Sequence, residues 1–101
     1  MFVTVSARHC DPSDGVRAYA RSKANRAAVF SPRTNRVEAL LTAPCPRTQA
    51  VTFVAHRPGL PPVAASARDA DWNAAIDLAQ DKLARRLRRD RGKRLDLARA
   101  A

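Results

Sequence analysis

The stretch from Asp71 to Arg94 reads as one amphipathic helix, and a helix of that length with an unbroken apolar stripe must lie against something. At 100° per residue, Trp72, Ile76, Ala79, Leu83 and Leu87 fall on a single stripe with the i, i+4, i+7 spacing of a core contact. The helix then changes character halfway. Its first half, to Asp81, carries the core contacts, while Lys82 to Arg94 holds eight cations against one Asp, +7 of the chain's formal +10. In projection Lys82, Arg85, Arg86, Arg89 and Lys93 gather along one flank of the stripe. Asp77, Asp81 and Arg88 face away, with Asp81 placed to pair with Arg85 one turn on.

The remainder must supply the surface that this stripe covers. Phe2 to Ala7 alternates apolar and polar, as a half-buried strand does. Asp11-Pro12-Ser13-Asp14 is a helix start: Asp11 or Ser13 can cap, Pro12 already has first-turn φ, and Asp14 suits the positive helix end. That helix is expected to run to Val29 or Phe30, where Ser31-Pro32 stops it, with Val16, Tyr19, Ala20, Ala27 and Phe30 inward. Arg36 to Ala43 reads as a second strand ended by Pro44-Cys45-Pro46, and Gln49 to His56 as a third closed by Pro58-Gly59. Val63 to Ala67 gives a weaker fourth. The order is β-α-β-β-β-α, an α+β fold with two helices packed on one face of a four-stranded sheet. Residues 1–94 form a single domain and 95–101 a short Ala-rich C-terminal tail.

Charge narrows the partner. Sixteen of the nineteen cations are Arg, whose planar fork suits phosphate, and clustered cations gain most from dense phosphate through counterion release. A polyanion, nucleic acid above all, is therefore expected rather than a small acidic substrate. No apolar run is long enough for a bilayer and no signal-like segment opens the chain, so the expected place is the cytoplasm, without membrane contact. Cys10 and Cys45 are then read as reduced, small apolar side chains. His9, Cys10, Cys45 and His56 show no metal-ligand spacing and no third orienting group. No catalysis, cofactor, metal or small-molecule substrate is expected.

Residue by residue, Ala74-Ala75-Ile76-Asp77, then Asp81-Lys82-Leu83 and the basic turns that follow, resemble the closing helix of the ribosome hibernation-promoting factors, also called ribosome-associated translation inhibitors. Ser13-Asp14-Gly15-Val16-Arg17-Ala18-Tyr19 and Lys23 are similar to the opening helix of that family. The likeness covers nearly the whole chain, although the last helix is its most distinctive part. Departures are Asn73, where the family usually has Tyr, the Trp72 before it, and an Ala-rich first helix.

The resemblance implies the same β-α-β-β-β-α order and a protein that sits in the decoding channel of the small ribosomal subunit, inhibiting translation in idle ribosomes. Carried to matching positions, it implies contacts to ribosomal RNA from Lys23 and Arg26 on the first helix and Lys82, Arg85, Arg86, Arg89 and Lys93 on the last. It also implies a short form, with no dedicated dimerisation domain. The competing reading of the same charge is a general structured-RNA-binding module with no preference for ribosomes.

Overall fold

The computed structural model describes residues 1–45 and 47–100, with the side chains of Ala28, Cys45 and 94–100 outside that description. The elements are β1 (Phe2–Arg8), α1 (Asp14–Asn25), α2 (Ala27–Phe30), β2 (Arg36–Cys45), β3 (Thr48–His56), β4 (Val63–Asp69) and α3 (Trp72–Ala100). They build one mixed sheet in the order β1-β2-β3-β4. β1 and β2 are parallel because α1 carries the chain back to the same end, and the remaining pairs are antiparallel. The α+β architecture expected from the sequence is the one found.

Alternation along each strand decides which face is covered. Val3, Val5 and Ala7 on β1, Val37, Ala39 and Leu41 on β2, Val51, Phe53 and Ala55 on β3, and Ala65 and Ala67 on β4 all belong to one core. Over that face α1 packs on β1 and β2 while α3 packs on β3 and β4. The helices contribute Ala20, Ala24, Ala27, Ala75, Ile76, Ala79, Leu83 and Leu87. So much alanine lets the helices lie close to the sheet and leaves the large-volume packing to few residues, chiefly Phe53, Leu41, Ile76, Leu83 and Leu87. Trp72 packs against the same core, at the head of the stripe.

Local chemistry explains the ends, and three of them differ from expectation. Ser13 caps α1, its Oγ accepting the Val16 N–H at 3.2 Å. The first helix does not run unbroken: at Arg26 the N–H turns to the Lys23 carbonyl, and a one-turn α2 follows. β2 continues through Pro44 to Cys45, because the register slips between Thr42 and Cys45 and the irregularity spares Pro44 a ladder bond. α3 starts at Trp72 with Asp71 as its cap, Oδ2 accepting the Ala74 N–H at 3.0 Å. It runs on to Ala100, past Arg94, where the sequence suggested a tail. The Pro58-Gly59 turn closes β3 as expected, Gly59 taking the φ of +73° that a side chain would disfavour.

Candidate nucleic-acid interface

α3 is 29 residues, about 43 Å at 1.5 Å per residue, and dominates the 50 Å long axis of the molecule. Ile76, Ala79, Leu83 and Leu87 are its buried stripe, and beyond Leu87 Arg88, Arg89, Arg91, Gly92 and Lys93 are all exposed. The basic half therefore extends past the covered part of the sheet.

The five cations expected on one flank divide into two groups. Lys82 Nζ donates to the Ser66 carbonyl at 3.1 Å, and Arg86 Nη1 donates to the Ala64 carbonyl. Both acceptors lie on β4, which pairs only with β3 and so has a free edge. The spacing fits: one helical turn of four residues rises about 6 Å and two strand residues about 6.6 Å. Cations one turn apart thus meet alternate carbonyls of an antiparallel strand. A carbonyl holds a cation without neutralising it, and each side chain keeps further N–H donors for another acceptor. Arg85, Arg89 and Lys93 are exposed and have no partner among the described residues.

The flank carrying Asp77 and Arg88 faces away from the cations, but it does not face solvent alone: the first two helices pack there. Tyr19 donates its hydroxyl to Asp77 Oδ1 at 2.6 Å, and Lys23 Nζ lies 3.6 Å from the same oxygen and 5.4 Å from the Tyr19 ring centre. Arg88 stacks 4.5 Å from the Phe30 ring centre, holding α2. Lys23 is therefore a half-buried tie between helices whose charge Asp77 already meets. Arg26 is exposed at the break between α1 and α2. Asp81 makes no ion pair with Arg85 among the described residues.

The Tyr19 contact has a measurable consequence. The phenol pKa is raised, first by the hydrogen bond to Asp77, then by desolvation and by the charges of Asp77 and Asp71. A raised pKa favours the neutral form, so this stabilisation is complete below the ordinary phenol value near 10 and is lost as pH rises through the folded one. Tyr19 is the single tyrosine. Ultraviolet titration is expected to place its midpoint above 10, and Asp77→Asn to bring it back toward the ordinary value.

The ion pair at the end of the apolar stripe was not anticipated from the sequence. Asp90, the only acid of the basic half to Arg94, accepts from Arg57 Nη1, and Arg57 Nη2 donates to the Pro61 carbonyl at 2.7 Å. The Arg57 side chain is 2% exposed. Asp90 lies five turns after Trp72, on the line of the core stripe, which was the available signal. Just where the apolar contacts end, this pair fastens α3 to the β3–β4 loop.

Elsewhere Cys10 Sγ donates to the Leu41 carbonyl at 3.5 Å, while the expectation about the Cys45 thiol falls outside the described residues. Among the described residues no three His, Cys, Asp or Glu come together as metal ligands would, and no helix is long and apolar enough to cross a membrane.

These features define a small α+β domain with helices on one sheet face and nine of its nineteen cations on one projecting helix. Solved structures share that build. A ribosomal subunit interface protein from Coxiella burnetii is similar with a TM-score of 0.81 at 18% identity, over 91% of this chain and 99% of that one. The N-terminal domain of Protein Y from Thermus thermophilus is similar with a TM-score of 0.72 at 24% identity, over 86% and 93%. No curated protein matches the sequence. The chain belongs to the Sigma 54 modulation protein / S30EA ribosomal protein family, whose model matches residues 3–95. The resemblance read from the two helices is borne out at the level of the family.

Proposed function

We propose that this protein binds the small ribosomal subunit in the cytoplasm, lying in the decoding channel against ribosomal RNA, and inhibits translation by idle ribosomes. Family membership supports a ribosomal role, and the similar protein from Coxiella burnetii is described as a ribosomal subunit interface protein. The observation that carries the reading is the row Arg85, Arg89 and Lys93, exposed and without a partner among the described residues, beside Lys82 and Arg86 fixed along the β4 edge. A ridge held at set spacing by the core beneath it can match phosphates along a folded RNA with little ordering cost. Arg26 extends the cationic surface to the first helix, while Lys23 contributes mainly through its tie to Asp77. Bound in the channel, the domain occupies space that messenger and transfer RNA need.

The test compares affinity for isolated small subunits with affinity for a naked RNA duplex at one salt concentration. Saturable binding to subunits, tighter than to duplex and reduced by messenger or transfer RNA, is expected. Equal affinity for both would instead favour a general structured-RNA-binding module. If the five ridge cations neutralise about five phosphates, log affinity should fall against log salt with a slope of roughly −3.5 to −4.5. A slope near zero excludes the electrostatic account.

A further inference from the structure

The strand register places three planar side chains in a row on the sheet face away from the helices. Phe2 on β1 lies opposite Arg36 on β2, and Arg36 lies opposite His56 on β3. Their neighbours Val3, Val37 and Ala55 point into the core, so phenyl, guanidinium and imidazole point outward together. Phe2 is 77% exposed, the most exposed large apolar side chain among the described residues. The row lines an open groove of about 420 Å³, with Asn35, Arg57 and Leu60 among its other walls. Glu38 Oε1 pairs with Arg36 Nη2 at 3.0 Å and lies 3.1 Å from His56 Nε2, a buried nitrogen with no hydrogen-bond partner among the described residues. Arg57, although buried, has an Nε with no hydrogen-bond partner.

We propose that this groove is a second RNA contact, which takes one unpaired nucleotide with its base stacked on Phe2 and its phosphate near Arg36. The proposal rests on the reading that the chain binds RNA. Unpaired bases are held by stacking on aromatic rings, imidazoles and guanidinium planes, and all three are present in register here. An open sheet offers them at strand spacing, and Arg36, half exposed beside Glu38, is the cation that a phosphate in the groove would meet. Position agrees as well. Arg57 both lines the groove and bonds Asp90, the neighbour of Arg89, so the groove opens at the end of the molecule where the basic half of α3 projects.

The experiment measures binding of hexauridylate and of a blunt RNA hairpin duplex to the full chain and to variants at Phe2. Since Phe2 is exposed, these variants are expected to melt with the parent. Phe2→Ala and Phe2→Leu should each weaken hexauridylate about tenfold or more, Phe2→Tyr should retain it, and duplex affinity should move less than about twofold. Unchanged hexauridylate affinity in Phe2→Ala overturns the proposal, as does an equal loss for the duplex. Uridine monophosphate competing as strongly as hexauridylate also overturns it, by making the groove a small-molecule site. A parent that binds neither RNA removes the broader reading too, whereas a parent that binds both while Phe2→Ala is silent removes only the groove.

Discussion

Reversing Arg85 and Arg89 together to Glu is expected to weaken binding to small ribosomal subunits by about two to four powers of ten. Each side chain is free to make a charge-assisted bond, worth roughly 1.5–3 kcal/mol, and about 1.4 kcal/mol is a factor of ten. Glu is a good helix former and both positions are exposed, so the melting temperature should hardly change. The informative control is Arg8→Glu with Arg47→Glu, which makes the same change in net charge at exposed positions at the other end of the sheet from the ridge. A loss confined to the α3 pair places recognition on the ridge. Equal losses would mean that overall charge alone attracts the polyanion.

Phe53→Ala should cost about 3–5 kcal/mol, a large part of the roughly 5–15 kcal/mol that holds a domain of this size together. Phe53 is fully buried, and its register partners on either side are Ala39 and Ala65. Neighbours that small cannot reach into the space a phenyl leaves, so the cavity persists. Thermal unfolding is the measurement, with a midpoint lower by roughly 12–40 °C at about 4–8 °C per kcal/mol. Val54→Ala, on the opposite face of the same strand and half exposed, provides the contrast and should cost under about 1 kcal/mol. Similar losses at both positions would show that the core relaxes around a missing ring.

Strands and helices were legible because each writes its period into the sequence: Phe2 to Ala7 alternates, and Trp72, Ile76, Ala79, Leu83 and Leu87 repeat at the helical angle. Ends were less so. Pro44 reads as a stop, yet a slip in register accommodates it, and that depends on the partner strand rather than on any local signal. The candidate ridge was legible in its angular placement, since Lys82, Arg85, Arg86, Arg89 and Lys93 share a flank by geometry alone. What each cation touches was not. Lys82 and Arg86 meet carbonyls of a strand about twenty residues away, and Lys23 meets Asp77 across two helices. The row of Phe2, Arg36 and His56 was hidden for the same reason, because the pairing of β1 with β2 is set by the whole βαβ unit.

Lys82 and Arg86 occupy the outer rim of β4, and on the opposite rim Arg21 Nη1 donates to the Val3 carbonyl at 3.0 Å. Each margin of the sheet is thus guarded by a charged side chain reaching down from a helix. Strand addition by a second copy would have to evict these groups and bring two strongly basic molecules together, which opposes both edge-to-edge aggregation and amyloid-like stacking. Lys82 and Arg86, two of the cations in the proposed phosphate-binding ridge, thus also obstruct strand addition along β4.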